Sequence, residues 1–192
     1  MRGDTLVVFA RAPRLGAVKR RLAKGIGALA ALRFYRGQLS AVLRATARDR
    51  RWRTVLAVTP DQAPARWPVA APRIGQGRGD LGQRMLRAMR PHRRCVLVGS
   101  DIPGIAARDI AAAFRALGRA DAVFGPAMDG GYWLVGLGPR RPATPFAAVR
   151  WSSRHALADT ERNFAGRRLA RLRTLRDVDT AADLAALRKH HR

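Results

Sequence analysis

Four stretches of this chain hold residue types at spacings that can do chemistry. The first is the apolar run 95–98, followed by Gly99, Ser100, Asp101, Ile102, Pro103 and Gly104. A run without polar alternation reads as a strand buried on both faces. Asp101 then stands at its carboxyl end, where open α/β sheets bind ligands. A carboxylate there can hold a divalent ion and, through it, phosphates; the alternative is a cap for a helix beginning near Ala106. The second stretch is 11–22, with cations at Arg11, Arg14, Lys19, Arg20 and Arg21 and turns shaped by Pro13 and Gly16. Between a strand and a helix, such a loop offers side-chain charge and backbone amides to a nucleotide's phosphates. It lacks the glycines of a Walker loop or a dinucleotide fingerprint, and a solvated basic turn is the other reading.

The third stretch is Asp129-Gly130-Gly131 followed by Tyr132 and Trp133. Its glycine amides can form an anion-binding nest, and Asp129 can take a hydroxyl proton or bind a metal; a plain hairpin explains the same residues. The fourth is Asp177-Val178-Asp179-Thr180. If extended, it turns both carboxylates to one side, which suits a hard cation, and ordinary acids before a helix are the alternative. A glycine-rich segment around Asp80 (Gly77, Gly79, Gly82) permits close backbone approach to a ligand, while Asp80 is also well placed to cap the next helix.

These stretches need elements to position them. Residues 6–10, 54–59, 73–75, 95–98, 120–126 and 169–172 read as strands, and Tyr132 and Trp133 open a further one on opposite faces. Residues 28–48 read as an amphipathic helix with Leu32, Tyr35, Leu39, Val42 and Leu43 on one face, and Tyr35 as a core-edge residue. Further helices are expected at 81–89, 106–117, before Phe164, and after a Thr180/Asp183 capping box. Residues 63–72, with three prolines, read as a loop, and 189–192 as a frayed tail. Alternating strands and helices point to a doubly wound α/β domain.

At 192 residues the chain fits one domain, taken as 1–192. A single cysteine, Cys95, excludes a disulfide framework and a cysteine zinc site. The apolar run 6–10 is too short for a signal peptide or membrane span, so the expected location is the cytoplasm, with no membrane partner. The net charge of +25 favours polyanions, including nucleotides. Its cations are nearly all arginine and scattered along the whole chain, without an aromatic stacking platform. Nucleic-acid affinity is therefore expected to be nonspecific.

In order, these motifs resemble the glycosyltransferase-A-like family associated with arsenosugar biosynthesis, within the nucleotide-diphospho-sugar transferase superfamily. The matching pieces are Phe9-Ala10-Arg11-Ala12-Pro13 with Gly16, Lys19, Arg21 and Leu22; Gly79-Asp80-Leu81-Gly82 with Arg84-Met85; Gly99-Ser100-Asp101-Ile102-Pro103; Gly125-Pro126; Asp129-Gly130-Gly131-Tyr132; Trp151-Ser152; and Asp177 to Thr180. The resemblance implies a three-layer α/β/α domain around a Rossmann-like mixed sheet of GT-A type. It implies nucleotide contacts at Ala10, Arg11, Arg14, Lys19, Asp80, Arg84 and Ser100. Mg²⁺ or Mn²⁺ would sit on Asp101, with Asp179 and Asp177 completing its site. The Asp129-Gly130-Gly131-Tyr132 turn would bind the acceptor, as its counterpart does in related guanylyltransferases acting on phosphorylated small acids. Two departures stand out. Pro103 occupies the place of the second carboxylate in the usual Asp-X-Asp, and Arg20 replaces the usual threonine after the lysine.

The expected activity is transfer of a sugar from a nucleotide-diphosphate sugar to a small-molecule acceptor, with Asp129 as the base if the reaction inverts. The alternatives are a nucleotidyltransferase, which uses a nucleoside triphosphate and a phosphorylated small molecule and releases pyrophosphate, and a non-catalytic nucleotide or nucleic-acid binder.

Overall fold

The computed structural model describes residues 3–189. The apolar runs form the expected strands: β1 (Asp4–Arg11), β2 (Arg53–Thr59), β3 (Arg73–Gly75), β4 (Arg94–Gly99), β5 (Ala122–Pro126), β6 (Tyr132–Leu137) and β7 (Leu169–Arg171). They build one sheet in the order β3-β2-β1-β4-β6-β5-β7. All run in one direction except β6, which pairs antiparallel with both β4 and β5. The chain leaves β1 toward β2 and β3 on one side and returns to place β4 on the other. The β1–β4 boundary is therefore the switch point where a crevice opens beyond the strand ends. In that parallel pair Phe9 lies opposite Gly99, so Arg11 and Asp101, two residues further along each chain, leave the sheet at the same level.

Helices cover both faces. They are α1 (Arg20–Ile26), α2 (Ala28–Thr46), α3 (Leu81–Met89), α4 (Ala107–Ala116), α5 (Ala156–Arg162) and α6 (Ala181–Lys189). Side chains alternate across a strand, and the core follows that alternation. Leu6, Val8 and Ala10 pack with Leu32, Tyr35, Leu39 and Leu43 of α2 and Ile110 and Phe114 of α4. Val7, Cys95 and Leu97 pack on the other face with Met85 and Met89 of α3 and with Phe124 and Phe164. This is a single three-layer α/β/α arrangement. A smaller cluster of Leu22, Ala31, Val178 and Leu184 fastens α1, α2 and α6 together.

Two local features differ from the sequence expectation. Residues 20–26 form α1, a separate seven-residue helix, although its N-cap residue Lys19 makes no side-chain cap and no acid sits in its first turn. Asp101 does not cap α4. That role falls to Asp109, whose carboxylate accepts the Ala106 N–H at 2.9 Å and is itself held by Arg173. Of the tail expected to fray, Lys189 ends α6 and residues 190–192 lie outside the described residues. Among the described residues no helix is long and apolar enough to cross a membrane.

Candidate active site

Two adjoining cavities open beyond the carboxyl ends of β1, β4 and β5, with Asp101, Phe9 and Leu81 shared between their walls. The first, about 460 Å³, is lined by cations: Arg11, Lys19, Arg20, Arg21 and Arg84, together with Ala10, Ser100 and Gln76. The second, about 340 Å³, is lined by Asp101, Asp129 and Asp177 and by apolar and aromatic groups including Tyr132, Trp133 and Trp151. The two walls thus differ in both charge and polarity.

Lys19 holds the junction. Its Nζ lies 2.8 Å from Asp101 Oδ2 and 3.0 Å from Asp179 Oδ1, and its side chain is 5% exposed. Burial alone would lower the lysine pKa. The two carboxylates outweigh that and keep the ammonium above its ordinary value. Lys19 sits in the left-handed region at φ 45, and Ser152, on the wall of the second cavity, does so at φ 58. Non-glycine residues in that region are strained and cluster at functional sites. Arg21 adds a second cation to Asp179 at 3.2 Å.

Two residues that sequence reasoning missed shape the cationic cavity. Tyr35 of α2 is buried, and its hydroxyl accepts the Arg11 N–H at 2.9 Å and donates to the Arg11 carbonyl at 2.8 Å. The same oxygen lies 3.1 Å from Ser100 Oγ. Tyr35 therefore ties the end of β1 to the end of β4 rather than marking a core edge. Gln76 is buried after β3. Its amide nitrogen donates to the carbonyls of Ala10 and Ala57, and its oxygen accepts from Arg84 Nη1 at 3.1 Å, which aims that guanidinium along the cavity wall. A glutamine at a strand end is the only local signal that either contact leaves.

Some expected site residues fall elsewhere. Arg14 is exposed and off the cavity wall, because a tight turn (Arg14 N–H to Ala12 O, Ala17 N–H to Arg14 O) carries it into solvent. Arg20 lines the wall instead. Asp80 is also off the wall. Its carboxylate accepts the Gln83 N–H at 2.8 Å while the Gln83 side chain accepts the Asp80 N–H, a complete capping box for α3. Gly130 does not line the second cavity. Its φ is +86, and a Cβ there would lie 2.2 Å from the Arg154 carbonyl oxygen, so glycine is needed for close packing on the 153–157 segment. Nor do the two glycine amides form an anion nest. The Gly130 N–H donates to the Ala127 carbonyl and the Gly131 N–H to Asp129 Oδ1 at 2.9 Å. Asp129 and Gly131 line the cavity, Asp129 being exposed. Tyr132 stands edge-on to Trp151 with ring centroids 6.4 Å apart. Burial raises its phenol pKa, partly offset by Thr160 Oγ1 at 3.4 Å.

The carboxylates are of the kind that holds Mg²⁺ or Mn²⁺. Asp177 is half-buried, and its carboxyl is pushed up to about 6, first by burial and then by the negative charges of Asp129, Asp179 and Asp101, with Lys19 acting against them. That is negative charge in excess of its local compensation, which a bound cation would relieve. Yet Lys19 already engages Asp101 and Asp179, and among the described residues no three acidic, histidine or cysteine side chains converge as a metal site.

Residues 42–153 match the model of a family described as an uncharacterized protein conserved in bacteria (DUF2064). The chain belongs to this family. No curated protein matches it. Solved structures place the fold more widely. A Desulfovibrio desulfuricans G20 protein described as a nucleotide-diphospho-sugar transferase superposes with a TM-score of 0.89 at 28% identity, covering 100% of this chain and 89% of its own. Glucosyl-3-phosphoglycerate synthase from Mycobacterium tuberculosis, solved with Mn²⁺, UDP and glucosyl-3-phosphoglycerate, gives 0.59 at 9% identity over 96% of this chain and 75% of its own. The 2-C-methyl-D-erythritol 4-phosphate cytidylyltransferase of Thermus thermophilus gives 0.53 at 14% over 99% and 98%. With these last two the chain shares the nucleotide-diphospho-sugar transferase (GT-A-like) fold, which serves both sugar and nucleotidyl transfer.

Proposed function

We propose that this protein transfers a sugar from a nucleotide-diphosphate sugar to a small-molecule hydroxyl acceptor. One observation carries the reading: the cavity with five cations meets the cavity with three carboxylates at Asp101, at the sheet's switch point. The cationic wall suits a diphosphate, with Arg11, Arg20 and Arg84 held by the β1 end, the α1 start and Gln76. Lys19 lies where it can neutralise charge building on a leaving diphosphate. A divalent ion, where bound, would have to compete with Lys19 for Asp101 and Asp179 and would add to that neutralisation.

Asp129 is positioned to take the proton of the attacking hydroxyl. Its Oδ1 accepts the Gly131 N–H, which leaves Oδ2 to take a proton from an acceptor hydroxyl in the cavity that Asp129 lines. Asp177, on the same wall and with a carboxyl near 6, keeps that end of the cavity acidic and is the second candidate for the base.

Nucleotidyl transfer is the second reading. It draws on the same wall, since Arg11, Arg20 and Arg84 remain for a triphosphate's oxygens once Asp179 has engaged Lys19 and Arg21. A thermal-shift panel of nucleoside triphosphates and nucleotide-diphosphate sugars, each with and without Mn²⁺, separates the two, since a ligand that binds only the native state raises the melting point. Stabilisation by one diphosphate sugar supports sugar transfer. Stabilisation confined to one triphosphate replaces it with nucleotidyl transfer, and no stabilisation by any of them sinks both.

A further inference from the structure

The second cavity carries a charge pattern unlike the rest of the molecule. About one residue in five along the chain is lysine or arginine, and none of these lines it, nor does a histidine, among the described residues. Three of the chain's 13 acidic residues do. A phosphate or carboxylate on an incoming molecule needs compensating charge, and among the described residues the lining offers no lysine, arginine or histidine to supply it. The Gly131 amide on that wall is spent on Asp129 Oδ1. What the wall does offer is apolar area: Tyr132 and Trp151 stand edge to face. Met85, Leu97 and Val135 add to it.

We propose that the acceptor is an uncharged or cationic hydroxyl compound with an apolar or aromatic part, and that phosphorylated and carboxylated acceptors are refused. The inference rests on the assignment of the first cavity to the donor. Discrimination of this kind works by repulsion as much as attraction. An anion brought against Asp129 and Asp177 meets like charge on a wall with no lining cation among the described residues. A divalent ion on Asp101 would not reverse this, since its charge is matched by the donor's diphosphate and Asp129 remains on the wall.

The names of two fold relatives specify phosphorylated partners. The cytidylyltransferase is named for an erythritol 4-phosphate and the synthase for a phosphoglycerate. Those ligands belong to those proteins. The cavity here has the opposite complement.

The experiment has two stages. Binding of a nucleotide-diphosphate sugar without acceptor, read by thermal shift, tests the donor assignment alone; its failure removes that assignment and the inference with it. With the donor that binds, release of nucleoside diphosphate is then measured across two matched series. One is glycerol, serinol, glycerate and glycerol 3-phosphate; the other is tyrosol, tyramine and 4-hydroxyphenylacetate. The expected result is a preference of at least about a hundredfold in kcat/KM for uncharged and cationic members over anionic ones. In the aromatic series Trp151→Ala should raise KM with little change in kcat. Equal or better use of the anionic members overturns the inference, and so does a donor that binds while no uncharged or cationic member of either series is turned over.

Discussion

Lys19 Nζ stands 2.8 Å from Asp101 Oδ2, a lysine at the start of the first helix locked to the aspartate that ends the neighbouring strand, with Asp179 on its other side at 3.0 Å. Three segments far apart in sequence therefore converge on one ammonium. The pair stands where the cationic and the acidic cavities meet, since Asp101 lines both and Lys19 lines the first.

Replacing Lys19 by Met should leave Asp101 and Asp179 facing each other without their cation. Both carboxylates are 39% exposed, so the expected loss is about 1–2 kcal/mol, below the roughly 3–5 of a fully buried pair that loses one partner. Mn²⁺ should restore more stability to Lys19→Met than to the unaltered protein, because the carboxylates then lack a competitor. Melting curves with chelator and with Mn²⁺ check this; equal Mn²⁺ shifts in the two proteins would show that Lys19 and the ion do not compete.

Asp177 gives a pH signature. Its folded carboxyl titrates near 6, above the 3.8 of the unfolded chain. Between those values the folded protein binds more protons than the unfolded one, so this group's contribution falls as pH rises from about 4 to 6 and stays low above. Asp177→Asn should therefore raise the melting point at pH 7 and leave it nearly unchanged at pH 4. Solvent screening of a half-buried group limits the gain to the order of 1 kcal/mol. Melting in chelator at both pH values is the check, and a gain of equal size at pH 4 would attribute the effect to packing.

Much of this arrangement was readable from the chain. Asp101 follows from an apolar run ending at a carboxylate, and α3 with its cap from Asp80, because both signals are local; the Gln83 half of the capping box came from the structure. Arg14 and Lys19 looked equivalent as cations on one loop, and only the turn at 14–17 separates them, since it sends one to solvent and leaves the other against Asp101 and Asp179. Tyr35 and Gln76 were not readable as site residues. Their roles depend on where α2 and the end of β3 come to rest against strands 24 to 66 residues away, which no spacing rule reaches. The anion nest was a sound reading of two adjacent glycines, overruled when Asp129 accepted one of the amides.

Tyr35→Phe isolates one of those non-local ties. It removes a hydroxyl that accepts from Arg11 N–H and donates to Arg11 O in a buried setting, leaving both groups unpaired. A loss of about 1–3 kcal/mol is expected. Arg11 lines the cationic cavity, so donor affinity should weaken as well, while Asp80→Ala should cost about 1 kcal/mol of stability and leave donor affinity alone. Calorimetric titration of the two variants side by side separates a site tie from a helix cap; equal donor affinity in both would confine Tyr35 to the core.

Asp129→Asn tests the base. The amide keeps an oxygen to accept the Gly131 N–H, so the turn and its packing on Arg154 should persist and the melting point should move little. Donor binding should also hold, because Asp129 does not line the cationic cavity. Proton removal from the acceptor should fail, with kcat reduced about 10²–10⁴-fold, the usual worth of a positioned general base. Losing the Asp129 charge should also lower the Asp177 carboxyl from about 6, since Asp129 is the largest contributor to its rise after burial. If Asp129→Asn turns over normally and Asp177→Asn does not, the proton goes to Asp177, and Asp129 serves only to keep that carboxyl basic enough to take it.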